Sequence, residues 1–323
     1  MPMVKFSTTQ SERLFPQNRL TSERIVALSL LDATSVDFQH TCAIWLFEAP
    51  EQRTSSQFNL SDHLRQSLQV TLGAYPQWCG RLKIVNTLSN TAVAGEEHLP
   101  PHARRFGRVH VVYGSSQDPG VEFTVASSET TLDALCSVSR AVSQVVWNRK
   151  EVPLTAFVSQ TQLQNLVKPV SANDVGLFPP VMAVQLTTLA CGGFVLTVNC
   201  VHPLADAHSV IHFVKDLASV SRSILQGADL PSLSPSFEPD KVDSSAAGDI
   251  NALSADPAIV QEVERLPLHR YDWWTQAPGS SRTPRTPEVF QNEDLSPAGK
   301  PIPWHEWDVS APPLFYDVHL TSE

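Results

Sequence analysis

The stretch Asn199-Cys200-Val201-His202-Pro203-Leu204-Ala205-Asp206-Ala207-His208-Ser209-Val210-Ile211-His212-Phe213 decides how this chain is read. It follows an apolar, β-type run from Phe194 to Val201 that delivers a histidine at its end. Pro203 stops the strand pattern, because proline fixes φ and has no N–H. A carboxylate, Asp206, lies four residues beyond the histidine. A helical pattern then begins, with Val210, Phe213, Val214 and Leu217 spaced by three and four. A base carried on the loop between a buried strand and a helix is a common way to build a site. His202 is therefore the candidate general base. An H-x-x-x-D string alone is weak, since most such histidines do nothing chemical.

Working backwards, Val175 to Val201 carries no charge and has the length of a membrane span. Pro179-Pro180, Gln185, Gly192-Gly193 and Asn199 interrupt it. Two buried strands, about 181–190 and 194–201, joined by a Gly-Gly turn, fit better. Further upstream, Leu60 to Leu72 reads as an amphipathic helix with Leu64, Leu68 and Leu72 on one stripe and Ser61 as its cap. Gly73 and Pro76 end it, Gly80 permits a close backbone approach, and Arg81-Leu82 opens a strand. Thr41 to Phe47 and Val121 to Val125 read as strands, and Thr131 to Val146 as a helix. Residues 1 to 22 read as an irregular polar arm. Glu96-Glu97 and Arg104-Arg105 read as solvated surface charge.

Working forwards, the helix after His202 runs to about Leu225. From 228 to 313 the chain is rich in proline and serine. It reads as a long irregular crossover linker with at most one short helix, about 256–266, and Trp273-Trp274, Trp304 and Trp307 as anchors. Leu314 to Leu320 reads as a strand, and Thr321-Ser322-Glu323 as a helix start. The expected organisation is 1–227 as one domain, 228–313 as the linker, and 314–323 as the first strand of a second domain that does not follow.

Composition bounds the function. The 323 residues are 42% apolar and 17% charged, enough for a sizeable core. A net charge of −10 argues against nucleic acid or an anionic membrane as partner, because both call for basic patches. The five cysteines form no C-x-x-C pair, and four lie in apolar surroundings. That pattern fits buried free thiols in a reducing, cytoplasmic compartment. His208 and His212 stand one helical turn apart, but Ser209 occupies the place where a zincin would carry glutamate, so no metal site is expected.

Four segments together resemble the BAHD acyltransferases, in their fungal branch. Leu28-Ser29-Leu30-Leu31-Asp32 is similar to the family's L-S-x-x-D segment. Leu64 to Leu82, ending Tyr75-Pro76-Gln77-Trp78-Cys79-Gly80-Arg81-Leu82, is similar to its helix and Y-P-x-x-A-G-R-L turn. Val184-Gln185-Leu186-Thr187 and Cys191-Gly192-Gly193-Phe194 are similar to its V-Q-x-T…C-G-G-F strand pair. His202 to Asp206 falls where the family carries H-x-x-x-D. Ala207 replaces the usual glycine, and no D-F-G-W-G-like motif is found. The resemblance implies an α/β fold of the chloramphenicol acetyltransferase type, a mixed β-sheet with flanking helices, plus the irregular linker. It implies acyl transfer from acyl-CoA, a co-substrate rather than a tightly held cofactor, to a hydroxyl or amine of a small secondary-metabolite acceptor. The complete protein is expected to be monomeric.

In that chemistry His202, with an ordinary pKa near ~6.5, takes the acceptor's proton and returns it to the leaving thiolate. No G-x-S-x-G nucleophile is present. Asp206 has two readings. It orients His202, or it turns away and holds the loop by pairing with a basic side chain, which the resemblance implies. A chain matching only the family's first half also admits a different reading, a catalytically inactive half-enzyme that binds or associates.

Overall fold

The computed structural model describes residues 5–36, 38, 40–49, 58–85, 96–136, 154–166, 178–252, 254, 256–265, 269–270 and 300–301. The main sheet has five strands in the order β1-β6-β7-β8-β3. These are β1 (Phe6–Leu14), β3 (Thr41–Phe47), β6 (Val121–Ser128), β7 (Met182–Leu189) and β8 (Phe194–Cys200). Only β6 and β7 run parallel; the other neighbours are antiparallel, so the sheet is mixed. A smaller antiparallel sheet joins β2 (Arg24–Ala27), β5 (Val109–Tyr113) and β4 (Arg81–Ile84) in the order β2-β5-β4. A two-residue parallel pair, β9 (His269–Arg270) and β10 (Lys300–Pro301), completes the strands described.

Among the described residues six α-helices accompany them: α1 (Leu30–Thr34), α2 (Leu60–Thr71), α3 (Leu132–Leu135), α4 (Ala207–Gln226), α5 (Pro239–Ala247) and α6 (Pro257–Glu264). Alternation decides which sheet face the helices cover. Phe123, Val184, Leu186, Leu196 and Val198 project to one side, where they form a core with Leu64, Leu68 and Leu72 of the α2 segment and with Val210, Phe213 and Leu217 of α4. Each of those helices presents an apolar stripe at helical spacing, and the two stripes close over the same strands.

Several expectations need correcting. Residues 6 to 14 are a strand, not an irregular arm; a polar edge strand lacks the apolar run that would announce it, and its pairing with β6 fixes it. The cap of α2 is Asn59, whose Oδ1 accepts from the N–H groups of Ser61 and Asp62. The 228–313 segment holds two helices, α5 and α6. Glu96 is buried at 4% exposure and ion-paired with Lys83, so it is not solvated charge. Only Cys79 and Cys200 are buried, while Cys42 and Cys191 are exposed. Gly80 does mark a close approach, since a Cβ there would stand 2.4 Å from the carbonyl oxygen of Val112. The helix expected over 131–146 is described only as α3. The strand at 314–320 and the four tryptophan anchors lie outside the described residues. No helix among the described residues is long and apolar enough to cross a membrane.

Candidate active site

The loop that carries His202 is fixed mainly through its backbone. β8 lies between β7 and β3 and is buried along nearly its whole length. Where it leaves the sheet, the Val201 N–H still donates to the Val181 carbonyl at 2.9 Å. The chain then turns, and the N–H groups of Leu204 and Ala205 both return to the Val201 carbonyl, at 3.1 and 3.3 Å. Pro203 is buried inside this turn. The Thr41 hydroxyl, at the start of β3, donates to the Ala205 carbonyl at 2.7 Å, a buried bond between segments far apart in sequence. Such a turn leaves the His202 backbone little freedom.

Asp206 caps α4. Its Oδ1 accepts from the Ser209 N–H and from the Ser209 hydroxyl, both at 2.8 Å. The acid turns into the helix start, and among the described residues it pairs with no Lys or Arg. Burial pushes the Asp206 carboxyl up, but the two bonds from Ser209 and the neighbouring His208 and His202 bring it below the usual carboxylate range. The loop-holding reading anticipated an ion pair; the contacts present are those of an N-cap.

His202 is half-buried and borders a narrow cleft of about 30 Å³. Phe38 stands edge-on to its ring, with centroids 5.3 Å apart and planes at 88°. Val36, Leu82 and Leu166 add apolar wall, and His40, Gln164 and Asn165 add polar groups. Gln164 is pinned at three points. Its Oε1 accepts from the Leu82 N–H at 2.7 Å, its Nε2 donates to the Leu82 carbonyl at 2.9 Å, and its own N–H donates to Pro180 at 2.9 Å. The side chain thus behaves like a strand partner of β4 and sets Asn165 and Leu166 at the rim. The opposite wall descends from α1, where Ser29 and Asp32 form a capping box.

The structure therefore brings His202 together with residues of three distant segments, 36–40, 82 and 164–166. No periodic or motif pattern marks Phe38, His40, Gln164 or Asn165. Their positions depend on which loops converge at the end of β8. The His208 and His212 rings meet tilted at 58°, with centroids 4.6 Å apart on the exposed side of α4, away from any third ligand among the described residues.

The sequence and the fold were compared with known proteins. The Transferase family profile matches residues 4–92 and 112–264. The chain is 24% identical to acyltransferase AFT15-1 of Alternaria alternata, over 99% of this chain and 58% of that protein. It is 26% identical to acyltransferase abl6 of Leptosphaeria maculans, over 83% of this chain and 50% of that protein. Among solved structures, vinorine synthase superposes on 72% of this chain and 46% of its own, with a TM-score of 0.48 and 19% identity. The chain spans about half the length of the curated relatives it matches. With most of its length matched by one family profile, the chain belongs to the Transferase family.

Proposed function

We propose that the complete protein is an acyl-CoA-dependent acyltransferase in which His202 is the general base. The observation that carries this reading is the placing of one imidazole, half-buried, at the exit of a central strand and beside a cleft. The chemistry follows from the residue type. A neutral imidazole accepts the proton of an alcohol or amine as that group attacks the thioester carbonyl. The imidazolium then protonates the departing thiolate of coenzyme A, so no acyl-enzyme is required. The acceptor is a small hydroxylated or aminated metabolite, and Phe38 and Asn165 border the space it enters. Asp206 serves as the cap that fixes the loop.

The test is thiol release. The protein is incubated with acetyl-CoA and a panel of hydroxylated acceptors, and free coenzyme A is followed with a thiol reagent. Turnover should fall on the order of 10²–10⁴-fold in His202→Ala, the usual contribution of a positioned base. Acceptor-dependent turnover that survives this change unaltered sinks the assignment.

One observation favours a second reading for the chain as given. A cleft of about 30 Å³ is far smaller than the roughly 300–1,000 Å³ that ligand pockets enclose. The described residues thus border only a corner of the space a thioester and an acceptor need. A chain that binds without turning over would release no thiol, while a C-terminally extended form would.

A further inference from the structure

The face of the main sheet opposite α2 and α4 carries a polar row beside the apolar cluster of Leu189, Val195 and Phe157. Register places Ser11, Thr124, Gln185 and Thr197 in one row across four neighbouring strands. The segment 156–161 passes over this face and leaves a cavity of about 470 Å³ between itself and the sheet. That volume lies within the usual range for ligand pockets, roughly 300–1,000 Å³. Its lining combines an apolar body, from Phe6, Ala126 and Val158, with hydroxyls and amides, and among the described residues it carries no charged side chain. The one nearby carboxylate, Glu122, is neutralised by Arg13 and accepts from the Ser11 hydroxyl. Across the cavity the Thr124 and Ser159 hydroxyls lie 3.1 Å apart, and Ser159 donates to Thr161 at 3.1 Å.

Gln185 is the informative group. It is 5% exposed, it lines the cavity, and its Nε2 donates to the Thr187 hydroxyl at 3.0 Å. No hydrogen bond to its Oε1 is found among the described residues, and that oxygen is open to the cavity rather than sealed in the core. The next hydroxyl in the row, Thr197 Oγ1, is buried and also lacks a partner among them. Buried polar groups normally find one, and an unmet acceptor facing a roomy cavity leaves a bond for something else to make. No lining residue is shared with the cleft at His202. Four residues of strand separate Thr197 from Val201, about 13 Å at 3.3 Å per residue.

We propose that this cavity is a second binding site, specific for a neutral, largely apolar molecule that donates a hydroxyl to Gln185 Oε1. The site does not depend on the catalytic reading of His202. The experiment is equilibrium dialysis of the intact chain with two neutral alcohols as probes, estradiol and farnesol. The variants are His202→Ala, Gln185→Met, and the cavity-filling Ala126→Trp and Val158→Trp, each checked for folding by circular dichroism. At least one probe should bind one equivalent. Its Kd should be unchanged in His202→Ala, weaker by about five- to tenfold in Gln185→Met, where one hydrogen bond is lost, and beyond detection in whichever filled variant folds. Val158 lies on the strap rather than in the sheet, so its replacement provides a folded test if Ala126→Trp fails. The proposal is overturned if neither probe saturates, which would leave a hydrated void. It is equally overturned if binding vanishes in His202→Ala, or if Gln185→Met or a folded filled variant binds like the parent.

Discussion

Replacing Asp243 by alanine should cost the protein about 3–5 kcal/mol, an amount that follows from what the carboxylate holds. Asp243 sits on α5 with its side chain 4% exposed, and it faces Arg108, 3% exposed. Its Oδ2 accepts from Arg108 Nη2 at 2.9 Å, and its Oδ1 accepts from the Leu30 N–H at 2.6 Å. The same Nη2 donates to the Leu28 carbonyl at 2.8 Å. The Nε and Nη1 atoms of Arg108 are buried with no hydrogen-bond partner among the described residues, so Asp243 is the charge that compensates this guanidinium. Removing one member of a buried pair leaves the other charge uncompensated, at about 3–5 kcal/mol. At a urea m-value of about 3 kcal/mol/M, the unfolding midpoint should fall by about 1–1.7 M. The double variant Arg108→Met/Asp243→Leu should lose less than Asp243→Ala alone, because both charges leave together. A shift below about 0.3 M in Asp243→Ala, at unchanged m, would refute the reasoning. The same buried pair holds Leu28, through Arg108, and Leu30, through the carboxylate, and from there α1 and then Phe38 descend to the His202 cleft. Hydrogen exchange at 30–36 should therefore quicken along with the loss of stability.

Four further outcomes follow from single contacts. Asp206→Ala removes the cap of α4 and should cost about 0.5–2 kcal/mol, whereas Asp206→Asn keeps the accepting oxygen and should cost little; urea midpoints of the two separate capping from charge. Thr41→Val leaves the Ala205 carbonyl without its buried donor and should cost about 1–3 kcal/mol, with Thr41→Ser close to neutral in the same titration. Gly80→Ala drives a Cβ to 2.4 Å from the Val112 oxygen, and a loss above about 2 kcal/mol is expected by thermal melting. Burial pushes the His110 imidazole below its ordinary value, with Ala103, Glu96 and the cations Lys83 and Arg108 as smaller influences. The folded state then binds fewer protons than the unfolded one. Stability from this group is present above about pH 6.5 and is lost as pH falls through the folded pKa. His110→Gln should flatten that limb of the stability profile.

What could be read in the sequence was whatever a short apolar period announces. β3, β7, β8 and the long helix α4 each carry a clean pattern of their own, and so His202 could be placed at a strand exit before any coordinates. β1 could not, because Phe6-Ser7-Thr8-Thr9-Gln10 has no apolar face and owes its shape to β6. α5 escaped for a related reason: the side chain it buries most deeply is a carboxylate, Asp243, so no hydrophobic stripe betrays it. Glu96 looked solvated because its partners Lys83 and His110 come from other strands. The cap role of Asp206 is legible in the sequence, since an acid standing just before a helical pattern is an N-cap signature.

That last point bears on how the imidazole is held. In a hydrolase triad an acid orients the histidine by accepting from its ring N–H. The contacts of Asp206 run instead to Ser209, one turn into α4. The backbone of His202 is fixed by contacts of its own. Val201 is hydrogen-bonded to Val181, Leu204 and Ala205 close back onto Val201, and Thr41 ties Ala205 to β3. Phe38 limits the ring from the side. The sheet thus fixes the backbone on which the imidazole stands. Changes at Phe38 reach the ring itself. Phe38→Ala should alter turnover while leaving the unfolding free energy from urea titration within about 1 kcal/mol of the parent, because that side chain is already 42% exposed. Loss of stability without any change in turnover would show that Phe38 is packing and nothing more.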